Sequence, residues 1–170
     1  MSWIQTYTGK QFFPLEPRAD DIDIRDIARS LSLLCRFNGH CKVFYSVAEH
    51  SVRVSNFLPR KLALWGLLHD AGEAYLSDLP RPIKAAIPEF SRIEERLLGV
   101  VADAFELSWP MPPEVKEADD ILLATEARDL MVTPPASWEL TSAPLEETIV
   151  PASPDDAMSY FLALFETLSK

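Results

Sequence analysis

Cations are in short supply in this chain. Its 170 residues carry 16 Lys and Arg against 26 Asp and Glu, a formal net charge of -10. A footprint along a phosphate backbone needs a basic face and counterion release, which excludes a general binder of nucleic-acid polymers. A small anion held by a few local cations or by a metal is still allowed. Cysteine is scarcer: Cys35 and Cys41 are the only two. They supply neither a disulfide framework nor a metal-type pair, so a reduced, cytoplasmic setting is expected. Long hydrophobic runs are missing, since Leu62–Leu68 falls far short of the roughly 20 apolar residues that cross a bilayer. Met1-Ser2-Trp3-Ile4-Gln5 has neither the basic start nor the apolar core of a signal peptide, and no membrane partner is expected.

What is present is ordinary globular composition, 48% hydrophobic and 25% charged. One domain is expected over residues 1–170, burying roughly 70% of the unfolded surface with no need of a disulfide or structural metal. Trp3–Thr8 is rich in strand formers, Gly9-Lys10 signals a turn, and Gln11–Leu15 can return as the second arm of a short hairpin. Beyond Pro17 the period is helical. Ile24, Ile27, Ala28, Leu31 and Leu34 mark a first helix, broken by Phe37-Asn38-Gly39-His40 with Gly39 as its cap. Tyr45 to about Leu58 is a second helix. Pro59 to the mid-seventies is a third, until Pro80 and Pro82 interrupt it. Ser91, with Glu94 three residues on, reads as a capping box for a fourth helix to about Phe105. Pro113 to about Met131 is a fifth, and residues 155–169, capped by Asp155-Asp156, a sixth. Between these two, residues 132–154 carry five prolines and no period, so they are expected to lie irregularly on the surface. The expected fold is all-α, about six helices with a short extended N-terminal hairpin and a core at about 25–130.

Histidine is limited to His40, His50 and His69. His69 is followed directly by Asp70 within Leu67-Leu68-His69-Asp70-Ala71-Gly72-Glu73. A His-Asp pair is a weak motif alone, but burying charge beside Trp65-Gly66-Leu67-Leu68 is costly without a partner. Adjacent helical side chains point about 100° apart, so both can reach one ion at the helix edge. Glu73, at i+4 from His69 and i+3 from Asp70, falls on the same face one turn along. Helices joined by a short Pro59 turn pack antiparallel, which lets His50 face His69. Asp119 shares a side of the fifth helix with Val115 and Leu122, whereas Asp120 turns to solvent. Two imidazoles and two carboxylates from three helices suit one divalent transition ion (Mn, Co, Zn, Ni or Fe) rather than Ca. An octahedral ion so held keeps two positions for water and a substrate oxygen.

The order His50, His69-Asp70, Asp119 resembles the H…HD…D signature of the HD-domain metal-dependent phosphohydrolases. His69-Asp70-Ala71-Gly72-Glu73 and then Ser77-Asp78-Leu79-Pro80-Arg81-Pro82-Ile83-Lys84 is similar to the HDxxE…GDLPxPxK stretch of bacterial 5'-deoxynucleotidases in that superfamily. Cys35-Arg36-Phe37 ahead of Glu49-His50-Ser51 is similar to their Arg-Trp dipeptide. Phage dATP triphosphohydrolases share the layout. The resemblance covers about residues 25–130. It departs in a shorter His50–His69 connection, in Phe37 where the relatives carry Trp, and in a Pro-rich segment without counterpart. It implies an HD-domain helical bundle, usually a homo-oligomer, that hydrolyses deoxyribonucleoside phosphates. His50, His69, Asp70 and Asp119 would hold the metal, and Glu73 would serve as general acid or base. Arg36 and Lys84 would meet the phosphate, Phe37 the base, and Asp78 the sugar hydroxyl. A divalent ion and one or two fixed cations suit a phosphoryl group whose charge grows as it transfers. Because the net charge repels an anionic nucleotide, Arg36, Arg81, Lys84 and Lys116 are the cations expected to reverse the field locally.

The expected reaction is release of phosphate from dNMPs. The alternative is a dNTP triphosphohydrolase, which needs more cations in line, with Lys116 beside Asp119 as a candidate. A non-catalytic nucleotide-binding module is a further alternative, and it would tolerate loss of a ligand or of Glu73. A cyclic-nucleotide phosphodiesterase would show extra histidines for a second metal, which three histidines do not provide. Plainer readings stand beside these. Glu73 can be a helix-surface carboxylate, Arg36 and Phe37 a snorkelling arginine and a core aromatic, Lys84 a solvated lysine, and His40 a loop residue at the pocket mouth. Glu126 and Arg128 read as an ordinary charged face, although Glu126, at i+7 from Asp119, can reach the ligands from behind.

Overall fold

In chain order, the computed structural model, which describes residues 2–170, contains β1 (Ile4–Gln5), β2 (Gln11–Phe12), α1 (Ile24–Leu33), α2 (Val47–Phe57), α3 (Arg60–Leu68), α4 (Glu73–Leu76), α5 (Arg81–Ala86), α6 (Pro88–Ala104), α7 (Pro113–Leu130) and α8 (Pro154–Leu168). The fold is all-α, with six long helices, two short ones and one antiparallel hairpin that pairs Ile4 with Phe12 and Gln5 with Gln11. Among the described residues no helix is long and apolar enough to cross a membrane.

Side-chain caps start three of the helices. Asp23, Ser46 and Ser153 accept from the backbone N–H of Arg25, Glu49 and Asp156, satisfying donors that have no partner inside the first turn. The cap of α8 is therefore Ser153, not Asp155-Asp156, which instead place two negative charges against the helix N-terminus. The other corrections have similarly local causes. α6 begins at Pro88 and encloses Ser91, because a proline in the first turn costs no hydrogen bond. Pro82 is tolerated in the first turn of α5 for the same reason, so a short helix stands where an interruption was expected. Gly39 does not cap α1, which ends at Leu33. It closes a turn in which Phe37, Asn38 and Gly39 all have positive φ (55°, 50° and 78°).

The third expected helix is divided. After Leu68 the chain tightens to three-residue hydrogen bonding, Ala71 N–H to Leu68 O (3.0 Å) and Glu73 N–H to Asp70 O (2.9 Å), before α4 resumes. Three-residue turns eclipse positions i and i+3. Glu73 is thereby aligned with Asp70 rather than with His69.

The core joins Ile27, Ala28 and Leu31 of α1, Val47 and Ala48 of α2, Leu67 and Leu68 of α3, Leu97 and Val101 of α6, and Ala157 and Phe161 of α8, all fully buried. The C-terminal helix thus belongs to the central packing layer against α1 and α2. Phe12 ties the hairpin down. It is fully buried and stacks on Tyr75 with centroids 4.1 Å apart, while Thr8 donates through N–H and Oγ to the Asp26 carboxylate at 2.6 and 2.9 Å. A two-stranded hairpin is marginal alone, so this docking is what orders it.

Candidate metal centre

His50 lies in the first turn of α2 and His69 directly after α3, so their meeting depends on how closely the two helices pack. Gly66 sets that distance. A Cβ there would lie 2.9 Å from Ser55 Cα and 2.7 Å from Leu58 Cδ1, so only glycine allows this approach. The antiparallel pair then brings His50 Nε2 to 3.3 Å from His69 Nε2. Asp119, from α7, places Oδ1 3.2 Å from His50 Nε2. One donor atom each from His50, His69 and Asp119 lies within 4.8 Å of the other two, a cluster able to hold a metal ion. Asp70 borders it, with Oδ2 3.2 Å from His69 Nε2, 3.8 Å from His50 Nε2 and 3.6 Å from an Arg36 nitrogen.

The far side of each imidazole decides which nitrogen is offered. His69 Nδ1 stands 2.8 Å from Gly66 O, which can only accept, so Nδ1 carries the proton. His50 Nδ1 stands 2.6 Å from Glu126 Oε1. Glu126 is fully buried on α7 and also accepts from Tyr45 Oη at 3.0 Å and Arg36 Nε at 3.0 Å. Against the cost of burial, the charges of Arg36 and His50 hold its carboxyl below the usual range. It is an anion, and His50 donates to it.

Two Nε2 lone pairs facing each other at 3.3 Å, beside a carboxylate, require positive charge between them. Burial and Arg36 both disfavour a charged His50, but Glu126 and Asp119 outweigh them and push its pKa up to about 9. Asp119 and Asp70 are held far below the usual carboxylate range, overcoming burial through His50 in the first case and His69 in the second. The donor set fits a divalent transition ion, since metal–nitrogen bonds of about 2.0–2.1 Å place neighbouring donors roughly 3.0–3.4 Å apart.

Asp70 and Asp119 face a pocket of about 760 Å³. Glu73 lines it, with its side chain buried, Oε2 without a hydrogen-bond partner and Oε1 3.5 Å from Lys84 Nζ. Burial first, then the charges of Asp70 and Asp78, raise the Glu73 pKa well above the ordinary value. Asp78 lines the pocket and is raised by burial as well. Lys84 also reaches it, but donates to Glu94 at 2.6 Å. Arg36 and Phe37 line the wall beside the metal centre. The chain brings them there because Arg36 N–H bonds Tyr45 O (2.9 Å), folding the α1–α2 connection back on itself. Arg81 and His40 line the pocket too.

Lys116 is not brought to this group. It is half-exposed and donates to Asp119 Oδ2 (2.9 Å) and Asp120 Oδ1 (2.6 Å), so the structure gives it a carboxylate partner rather than a place in the pocket wall. Two contributions have no sequence signal of their own. Tyr45 reads simply as the start of a helix. Trp138 and Leu140 line the pocket from the aperiodic segment expected only to cover the surface. That segment is strapped to the body by Leu145 N–H to Thr125 Oγ (2.9 Å), Ile149 N–H to Asp129 (2.8 Å) and Ala152 N–H to Glu49 (2.8 Å).

No family model matches the chain. It is 42% identical over 173 residues to the uncharacterized protein YfdR of Escherichia coli K12, covering 100% of this chain and 97% of that protein. An uncharacterized protein of Rhodobacter capsulatus is 35% identical over 127 residues, 69% of this chain and 65% of its own length.

Proposed function

The chain belongs to the family of the Escherichia coli protein YfdR, and from its metal centre we propose that this protein is an HD-domain-type metal-dependent phosphohydrolase that releases phosphate from deoxyribonucleoside 5'-monophosphates. One observation carries the reading: two inward-facing Nε2 atoms and Asp119 Oδ1 converge at the edge of a cavity that also contains a buried carboxyl with an unpartnered oxygen.

His50, His69 and Asp119 would hold the ion, with Asp70 as the fourth donor. Bound there, a divalent ion supplies Lewis acidity toward a phosphoryl oxygen and lowers the pKa of a nearby water. The chain supplies the rest. Arg36 faces the pocket between Glu126 and Asp70 and contributes fixed positive charge beside the phosphoryl site. Glu73, kept protonated by its surroundings, can hold a proton on Oε2 for delivery to the departing 5'-oxygen. Lys84, 3.5 Å from Glu73 Oε1, places a second cation on the same wall. Asp78, which lines the same pocket, would meet the sugar hydroxyl.

The charge lining the cavity favours a monophosphate over a triphosphate. Asp70, Asp78 and Asp119 stand against Arg36, Arg81 and Lys84, and all three of these cations already have carboxylate partners. A triphosphate would require further unpaired cations along its length. The test is a panel of dNMPs, NMPs and dNTPs with Mn, Co, Mg or Zn, following phosphate and triphosphate release separately. Phosphate from dNMPs is expected; triphosphate from dNTPs alone would transfer the protein to the alternative class, and no release from any of them would leave a binding module.

A further inference from the structure

Trp138 takes no part in the metal centre, and packing does not explain its position. The residue is 42% exposed, and the one side-chain hydrogen bond of its stretch joins Glu139 N–H to Ser137 Oγ, not the indole. It lies on a stretch, residues 132–144, that makes no hydrogen bond to the rest of the described chain; the first tie comes at Leu145. Behind it, a second cavity of about 320 Å³ separates this stretch from the end of α7, lined by Ala127, Met131, Pro134, Trp138 and Leu140. The indole therefore has room to move against the main pocket, which it also lines.

Its aromatic neighbour in that pocket is Phe37, with ring centroids 6.0 Å apart and planes tilted by 47°. Phe37 is held in place at a cost. Its φ is 55° and that of Asn38 is 50°, a left-handed conformation that is costly for a residue with a Cβ. Backbone strain of this kind persists where the surroundings impose it. Arg36 Cζ, 5.4 Å from the Phe37 centroid, adds a cation–π contact that steadies the ring. The adjoining wall is apolar, formed by Leu123, Met131 and Leu140.

Resting on the phosphohydrolase reading, we propose that Trp138 and Phe37 form an aromatic slot for the nucleobase, with Trp138 the specificity-determining residue. The slot reads a base chiefly by stacking area, because its faces are the rings of Phe37 and Trp138, flanked by Leu123, Met131 and Leu140. Purines, with the larger face, bind more tightly than pyrimidines, and a sugar phosphate without a base binds least. The partly tied strap lets Trp138 swing toward or away from Phe37 to admit bases of either size.

The test is calorimetric titration of the full-length protein with Mn²⁺, in a Glu73→Gln background that limits turnover, using dAMP and 2-deoxyribose 5-phosphate. The parent is expected to prefer dAMP. Trp138→Ala should shrink that preference about tenfold, the scale of one lost base–aromatic stack, and Trp138→Phe should restore most of it. Equal binding of the two ligands by the parent, or a preference unchanged in Trp138→Ala, overturns the slot. Phosphate release by the wild type judges the phosphohydrolase reading separately. Release from dNMPs with a Trp138-independent preference sinks the slot alone. A Trp138-dependent preference without release from any dNMP supports the slot and sinks the catalytic reading.

Discussion

The carboxylate of Glu126 is divided between two partners: Oε1 takes His50 Nδ1 at 2.6 Å and Oε2 takes Arg36 Nε at 3.0 Å. One buried anion thus orients an imidazole of the candidate metal centre and a guanidinium of the pocket wall. Such a partner fixes the tautomer and raises the basicity of the coordinating nitrogen. Glu126→Gln keeps the shape and removes the charge. It is expected to weaken metal binding by about 10–100-fold while circular dichroism shows the helices intact. Metal titration of wild type and variant checks this, and equal affinities would remove Glu126 from the centre.

Glu73 is the group with the most to reveal about pH. Its folded-state pKa lies well above the ordinary 4.5, through burial and the neighbouring Asp70 and Asp78. Between the ordinary and the folded value the native state holds a proton that the unfolded state has released, so stability falls as pH rises through that window. In chelator, Glu73→Gln should lose this slope and melt higher than wild type at neutral pH. With metal restored, the variant should bind nucleotide but lose most phosphate release, and the wild-type activity should decline as pH climbs past the raised pKa. A fully active variant removes Glu73 as proton donor; identical melting curves contradict its neutral burial.

Much of this centre could be read from spacing. His50, His69 and Asp119 fall where helical periodicity turns them inward, and Asp120 goes outward to Lys116 and Arg81 as its place on the helix implies. Glu126 was harder to identify because one carboxylate among charged neighbours looks the same whether solvent or a buried histidine completes it. The break after Leu68 has no proline to mark it; it comes from the shift to three-residue hydrogen bonding, with Gly66 O accepting from a side chain, His69 Nδ1. The strap was opaque for another reason. Its hold on the body runs through Thr125, Asp129 and Glu49, distant in sequence, and no local period records such contacts.

Lys116 separates the two kinds of reading. Spacing beside Asp119 makes it a candidate phosphate contact, whereas the structure pairs it with Asp119 and Asp120 while half-exposed. Exposed pairs of this kind contribute little. Lys116→Ala is expected to change KM for dNMPs by less than about twofold, within the roughly 0–1 kcal/mol that such pairs contribute. Steady-state kinetics settle the point: a large rise in KM with kcat retained would return this lysine to the substrate site.

The close approach of α2 and α3 is the mechanical condition for everything at the metal centre. A methyl at position 66 would meet Ser55 Cα at 2.9 Å and Ser55 N at 3.1 Å, and backbone cannot rotate away as a side chain can. Leu58 Cδ1, at 2.7 Å, is the one flexible neighbour. Gly66→Ala must therefore push the helices apart, with an overpacking cost of about 1–3 kcal/mol and a Tm lower by several degrees. Separation also moves His50 from His69, so metal affinity should fall together with stability. Serial melting with and without Mn²⁺ distinguishes this from a simple core defect. A variant that is destabilised but keeps the full wild-type metal-induced rise in Tm would show that helix spacing and metal geometry are independent, contrary to the 3.3 Å contact between the two Nε2 atoms.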